Sequence, residues 1–421
     1  MSLAESIKEL FSQKLFDLLV QIGTIASKQG LKAYAIGGFV RDLLLKKANF
    51  DIDIMVEGDA IPFAIEVSEV FKAECKLIER FHTAHLYLPE LNIDFSSARK
   101  EVYTKPAVLP IISFSNLRDD LLRRDFTINA IAMSITPDKP FEVVDIFNGT
   151  KDLKRETIRI LHNKSFIDDP TRLYRALRFA NRFKFELEEE TESLFESAIY
   201  EKYPSLLSPK RIATEIDKCF QEERPLTLLT KYQSFGLMEF FHKSFGKNKR
   251  PDFTFGTVRP TVTRLSKTYP GISEPAVYWT LLFSKIPFRE VAKLLNACGL
   301  PHSVVLSITE ALNSFNTANE KLVRATSRID IYNSLHGLNG EAMALFMLSF
   351  KEKSISDKIA LYLNELHSIK PAIGGKDLIK AGIEPGPQIR KVLDYITEQK
   401  VSGLIMTRKD EINLAKRISN L

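Results

Sequence analysis

One stretch constrains this chain more than any other. It runs Tyr34-Ala-Ile-Gly37-Gly38-Phe-Val-Arg41-Asp42-Leu-Leu-Leu45 and resumes at Phe50-Asp51-Ile-Asp53-Ile-Met-Val56. Tyr34 to Ile36 reads as a short buried strand, and Gly37-Gly38 lets the backbone turn tightly and approach a ligand without a Cβ in the way. Val40 to Leu45 reads as the first turns of a helix, whose opening N–H groups suit phosphate oxygens. In the next strand alternate residues share a face, so Asp51 and Asp53 point one way while Ile52 and Ile54 enter the core. Two carboxylates about 7 Å apart along a strand can jointly hold Mg²⁺, a cation that prefers hard oxygens and those of a substrate phosphate. Either piece alone is equally compatible with an ordinary glycine turn and a solvated strand edge.

At 421 residues, 44% hydrophobic and 27% charged, the chain has the composition of a soluble globular protein with room for two to four domains. No run approaches the roughly 18 apolar residues needed to span a bilayer, and the charged, amphipathic start does not read as a signal peptide. Cys75, Cys219 and Cys298 are widely separated and odd in number, which suggests reduced thiols in a cytoplasm. A net charge of +6 permits a nucleic-acid partner without requiring one. None of the seven histidines is followed by Asp, so the His-Asp pair of a metal phosphohydrolase is missing.

Along the chain, Ala4 to Gln29 reads as one helix ending at Gly30. Ala60 to Phe71 is a further helix, and strands are expected at Cys75–Ile78, Ala84–Leu88 and Leu91–Phe95. The last puts Asp94 on a polar face between Ile93 and Phe95. Ala98 to Phe114, basic and with two prolines, reads as a mobile loop, and Leu117 to Arg124 as an amphipathic helix. From residue 161 onward the pattern is helical with no period-2 strand pair, and Lys247 to Thr268 reads as a loop between subdomains. The helix after Asp168-Asp169-Pro170 carries Arg172, Arg175, Arg178 and Arg182 on one face, with Leu173, Leu177, Ala180 and Phe183 opposite. Four arginines without an interleaved acid call for phosphates or carboxylates, although one or two can equally brace the packing.

The order of Gly37-Gly38 and Asp51-Ile-Asp53 resembles polymerase-β-type nucleotidyltransferases. Further motifs narrow this: Arg123-Arg124-Asp125-Phe-Thr-Ile-Asn129-Ala, Asp145-Ile-Phe-Asn-Gly149-Thr-Lys-Asp152-Leu, and Asp168-Asp169-Pro-Thr-Arg172 with Arg175 to Phe179. Together, over residues 34–183, they resemble the class II tRNA nucleotidyltransferases, which build or complete the CCA end of tRNA, and their poly(A) polymerase relatives. The resemblance implies an α+β fold: a polymerase-β-like head with a mixed sheet (1–160), then an all-α neck (161–242), body (243–325) and tail (326–421).

It also implies roles. Asp51 and Asp53 would hold Mg²⁺ for attack of the tRNA 3′-hydroxyl on the α-phosphate of CTP or ATP, with Asp94 as the third carboxylate. Gly37, Gly38 and Arg41 would touch the triphosphate, and Arg124, Asp125 and Asn129 the ribose and phosphates. Asp169 and Arg172 would read the base, with Arg175 and Arg178 beside them on the nucleotide side. A carboxylate accepts from the exocyclic amine of C or A, while a guanidinium donates to a ring nitrogen or carbonyl. In many members Glu precedes the Asp169 equivalent; here it is Asp168. Full CCA addition is the first expectation. CC-only or A-only addition is the second, because the loop at Arg99–Ser115 resembles that of bacterial members that divide the task. A poly(A) polymerase or an inactive tRNA-binding protein ranks lower, the latter because Asp51, Asp53 and Arg124 are intact. The expected partners are tRNA, CTP and ATP, with no membrane.

Overall fold

Alternation of apolar and polar residues organises the first third of the chain into strands. A computed structural model describes residues 3–89, 91–246 and 253–419. It divides the chain into two units, Met1–Glu215 with Thr227–Lys247, and Ile216–Leu226 with Asn248–Leu421.

The first unit opens with helices α1 (Leu3–Leu10) and α2 (Gln13–Lys28). The single helix expected over Ala4–Gln29 is thus two. Ser12 accepts from the backbone N–H of Leu15 and starts a new helix, because a serine hydroxyl competes well for first-turn N–H groups. Strand β1 (Lys32–Ile36), helix α3 (Gly38–Leu44), strand β2 (Asp51–Glu57) and helix α4 (Ala60–Phe71) follow, then β3 (Glu74–Ile78), β4 (Thr83–Tyr87) and β5 (Asn92–Ser97). With β8 (Ala132–Ser134) and β9 (Val143–Val144) they form a seven-stranded sheet in the order β3-β4-β5-β2-β1-β8-β9. Only β2 and β5 in it run parallel. Ile36, Met55, Ala98, Leu117, Leu121, Ala130 and Ala132 pack together at its centre.

Three further expectations change. The supposed mobile loop at 98–114 contains an antiparallel hairpin, β6 (Arg99–Val102) with β7 (Ile111–Phe114). Its two prolines, Pro106 and Pro110, lie between the strands, where a missing N–H costs no ladder bond. The region from 161 onward is not wholly helical, because Glu186–Leu187 pairs in parallel with Thr157–Ile158. Two residues are too few for any period to register. Residues 247–252 of the supposed loop at 247–268 lie outside the described residues, but Phe253–Thr257 is a short 3₁₀ turn and Val258–Leu265 a helix. Pro260 occupies that helix's first turn, where its missing N–H has no intrahelical partner to lose.

The further helices of the first unit are α5 (Leu117–Leu122), α6 (Gly149–Lys154), α7 (Ser165–Asp168), α8 (Thr171–Phe183), α9 (Glu189–Tyr200), α10 (Pro209–Phe220), whose last residues count with the second unit, α11 (Pro225–Ser234), whose first residues do likewise, and α12 (Leu237–Phe241). In the second unit, Glu274–Phe283 is buried from Ala276 to Phe283, and Gly340–Ser349 is nearly so. Near the C-terminus Ile373, Leu378, Ile383, Val392, Ile396 and Ala415 form a separate small core. Among the described residues, no helix is long and apolar enough to cross a membrane.

Candidate active site

The acids of β2 stand where the alternation puts them. Asp51 is exposed and Asp53 half-buried, while Ile52 and Ile54 are fully buried. Strand β5 repeats the pattern, with Asp94 half-buried between buried Ile93 and Phe95. The parallel register sets Asp94 beside Asp53, and the antiparallel one sets His85 of β4 beside Asp94. The His85 Nδ1 to Asp94 Oδ1 distance is 2.5 Å.

Burial raises the Asp53 carboxyl to about 6. Arg124 opposes that shift, and the neighbouring Asp51 and Asp94 add to it. A carboxylate such as Asp53 that ionises reluctantly suits a divalent cation, whose charge reverses the penalty. Among the described residues, no three or more His, Cys, Asp or Glu converge as a complete metal cage. Asp51 and Asp53 share one face of β2, and the charge of Asp51 reaches Asp53.

Gly37 closes the site from the other side. Its φ is +69°, and a Cβ there would lie 2.8 Å from Arg124 Nη1 and 3.8 Å from Asp53 Oδ2. Glycine is therefore needed both for the left-handed turn and for the close approach. A Cβ on Gly38 would meet Arg41 and Asn49 side chains at 3.6 Å. The Gly37 N–H itself donates to the Ile131 carbonyl at 3.2 Å. Arg124 donates from Nη2 to Asp120 at 3.1 Å, while its Nε is buried with no hydrogen-bond partner among the described residues. A buried, unpaired guanidinium N–H beside two acids is costly unless an acceptor arrives from outside.

Other arginines have found acceptors within the protein. Arg41 is buried; it donates to both oxygens of Asp42 at 2.8 Å and to Asn129 Oδ1 at 2.5 Å. Its guanidinium lies over the rings of Phe179 and Phe183. Asn129 in turn donates to Asp125 at 2.9 Å, and Asp125 receives Arg175 at 2.8 and 2.5 Å. Arg178 faces Glu215 at 3.6 Å. Arg175 and Arg178 of α8 are thus directed at protein carboxylates from distant segments, which the local sequence does not display. Asp120, wholly buried, opposes its own ionisation by burial, yet Arg124 and Arg123 hold it below the usual carboxylate range.

Asp125 is the clearest case. Burial works against its charge, but Arg175 and Asn129 outweigh that and hold it at about 2. A folded pKa below the unfolded value gives stability that is present above about 4 and is lost as pH falls toward 2. The shift from 3.8 to about 2 corresponds to about 2 kcal/mol. Denaturant unfolding between pH 5 and 2 should therefore show the parent losing stability in that window. Asp125→Asn should lose less, so that the gap between the two proteins narrows on acidification.

Asp169 precedes α8 and acts as its cap. Its Oδ1 takes the Thr171 N–H at 3.0 Å, the Thr171 hydroxyl at 2.6 Å and Arg211 Nη2 at 2.7 Å. Arg172 donates to Ser165 Oγ and to the Arg123 carbonyl, each at 2.6 Å. It also lines a cavity of about 330 Å³ with Glu101, Tyr103, Arg123, His162 and Asp168. The β6–β7 turn is tied to this region, since the Ala107 N–H donates to Asp168 O and Ala107 O accepts from Arg211. The Asp145–Asp152 motif serves as scaffold. Asp145 caps Gly149 and Thr150, and Asp152 accepts from Thr127. This holds in place the 127–129 turn that carries Asn129. His85, Asp120, Arg211 and Asn49, which bridges Asp42 and Asp51, were not singled out from sequence. Only Asn49 carried a local signal, an Asn two residues before a strand acid.

Known proteins share this arrangement. The Poly A polymerase head domain family matches residues 33–159. An A-adding tRNA nucleotidyltransferase of Geobacter sulfurreducens is 32% identical over 96% of this chain, and the chain spans about half of that relative, 47%. The A-adding tRNA nucleotidyltransferase of Halalkalibacterium halodurans is 30% identical, with 96% of this chain and 92% of the relative covered. Among solved structures, a CCA-adding enzyme in apo form II aligns with a TM-score of 0.82 at 28% identity, over 100% of this chain and 99% of its own. A CCA-adding enzyme in complex with ATP gives 0.79 at 28% identity, over 100% and 99%. The Thermotoga maritima CCA-adding enzyme complexed with tRNA gives 0.78 at 27% identity, over 99% and 98%. With a head matching the polymerase family and a relative aligned over nearly its whole length, the chain belongs to the tRNA nucleotidyltransferase family of A-adding and CCA-adding enzymes.

Proposed function

We propose that this chain transfers a nucleoside monophosphate from a nucleoside triphosphate to the 3′ end of tRNA without a nucleic-acid template. The observation that carries this is the row Asp53–Asp94 with Asp51, beside the Arg124 guanidinium and Gly37. The tRNA 3′-oxygen attacks the α-phosphorus, forming the O3′–P bond, while the bond to the β-phosphate oxygen breaks and pyrophosphate leaves. Asp94, whose Oδ1 is held by His85, takes the hydroxyl proton. Arg124 offers its guanidinium to the triphosphate. Asp51 and Asp53 would hold Mg²⁺, which when bound would supply Lewis-acid polarisation of the phosphate oxygens and neutralise the charge that develops on them. The C-terminal helices from residue 326 onward contact the tRNA.

ATP is the favoured nucleotide and a tRNA ending in CC the favoured acceptor. Three relatives at 30% to 33% identity bear A-adding names, and the β6–β7 turn is bonded to Asp168 and Arg211 next to the base-reading pair. Complete CCA addition is the second reading, favoured by the full-length alignment with CCA-adding structures. Purified protein incubated with tRNAs ending at the discriminator base, at C and at CC, each with CTP or ATP, decides between them. A-addition extends only the CC-ended tRNA with ATP, complete addition extends all three, and no extension of any refutes both.

Base choice falls to Asp169 and Arg172. The bonds Asp169 makes to Thr171 and Arg211 use Oδ1, and Oδ2 is the acceptor offered to an exocyclic amine. Asp169→Asn keeps the capping acceptor but turns the second position into a donor. Discrimination of ATP over GTP should fall by roughly one to two powers of ten, the 1–3 kcal/mol of one reversed hydrogen bond. The measurement is kcat/KM for all four nucleotides. Undiminished exclusion of GTP and UTP would move the role away from Asp169.

A further inference from the structure

An unbroken chain of polar contacts leads from helix α8 to the first acid of β2. Arg175 donates to Asp125, Asn129 donates to Asp125, and Arg41 donates to Asn129 and to Asp42. Asn49 is the last link. Its Nδ2 donates to Asp42 Oδ2 at 2.8 Å, and its Oδ1 accepts the Asp51 N–H at 3.0 Å. The second bond closes an Asx turn, a side chain holding the backbone two residues on. Asp51 is exposed at the mouth of its strand, and among the described residues no hydrogen bond or ion pair holds its carboxylate, so its direction is set by the backbone that carries it. Exposed Phe50 lies between the two.

We infer that Asn49 is a positioning residue for Asp51: its amide ties the backbone of the metal-holding acid to the buried Arg41–Asp42 pair, and so aims the Asp51 carboxylate at the cation it shares with Asp53. The inference rests on the proposed cation-binding role of Asp51 and Asp53. The chemistry is that of an outer-shell partner, which does not touch the ion but removes the freedom of a ligand that does. Such partners are commonly worth 10–100-fold in metal affinity or activity. The two functions of the amide are separable. A serine at 49 can still close the turn through its hydroxyl, but is too short to reach Asp42. Alanine loses both bonds, and glutamine carries the same amide one methylene too far to close the same ring.

The test is Mn²⁺ binding followed by the electron paramagnetic resonance signal of the free ion. It uses the full chain with an ATP analogue whose α–β bridging oxygen is a methylene, and compares the parent with Asp51→Ala, Asn49→Ala, Asn49→Gln and Asn49→Ser. Asn49→Ala and Asn49→Gln should each weaken Mn²⁺ by about tenfold and lower kcat similarly, with KM for ATP and tRNA little changed. Asn49→Ser keeps the turn but loses the tie to Asp42, so it should be weakened nearly as much. Melting curves accompany each variant, and should alanine not fold, the glutamine variant alone decides. Parent-like Mn²⁺ affinity in whichever of these two variants folds overturns the inference, and so does a serine variant that binds Mn²⁺ as the parent does. If instead Asp51→Ala binds Mn²⁺ as the parent does, the cation-binding reading itself has failed, and that result is distinct from a failure of Asn49.

Discussion

Asp51→Ala and Asp53→Ala are each expected to abolish nucleotide addition, by about 10³-fold or more, while the protein stays folded. Removing a cation ligand forfeits several kcal/mol of transition-state stabilisation, and about 4 kcal/mol corresponds to 10³ in rate. Stability should respond differently. The Asp53 carboxyl titrates at about 6, above its ordinary 3.8, so its ionised form is a burden on the metal-free fold at neutral pH. That cost is absent below about 4, grows as pH rises toward 6 and is complete above it. Asp53→Ala should therefore melt no lower than the parent at pH 7.5 without added metal. Single-turnover assays on CC-ended tRNA with ATP, alongside melting curves, check both halves. Near-parental turnover in either variant would end the assignment of these acids.

Arg175→Ala should cause the largest loss of stability. Asp125 is buried, and its charge is tolerated because Arg175 and Asn129 surround it. Removing one partner of a buried pair typically costs 3–5 kcal/mol, which for a unit of this size lowers Tm by about 10 °C. Arg175 is held the other way round: Asp125 raises its pKa above the ordinary arginine value even though burial works against it. The double change Arg175→Met with Asp125→Leu should regain much of the loss, since it leaves no charge behind. Thermal unfolding of the two variants measures this. A Tm for Arg175→Ala within a degree or two of the parent would show that the Asp125 charge is solvated and not buried. Asn129 and Arg41 continue the network from Asp125, so the single variant should also lose activity, beyond its loss of stability.

What the sequence determined by itself is local. Alternation along 51–54 decides which residues of β2 face the core, because successive side chains on a strand must oppose each other. The Gly37-Gly38 pair announces a turn, and φ +69° at Gly37 is a conformation that glycine adopts at little cost. The 3–3–4 spacing of Arg172, Arg175, Arg178 and Arg182 puts them on one helical face wherever that helix packs. The tertiary structure decided what those side chains meet. Arg175 and Arg178 read as a face for phosphates or carboxylates, and their acids arrive from residues 125 and 215, at separations no helical or strand period reports. The pairing of Asp53 with Asp94 depends on β5 lying parallel beside β2, which strand propensity does not specify. The β6–β7 hairpin hides its pairing in the same way: its residues Ile111, Ile112 and Phe114 remain exposed, so no buried face marks a period, and backbone hydrogen bonds between segments ten residues apart carry no trace in side-chain identity. Asn49 lies between the two cases. Its turn onto Asp51 is written in two positions separated by one residue, whereas its hold on Asp42 exists only because α3 folds back over the start of β2.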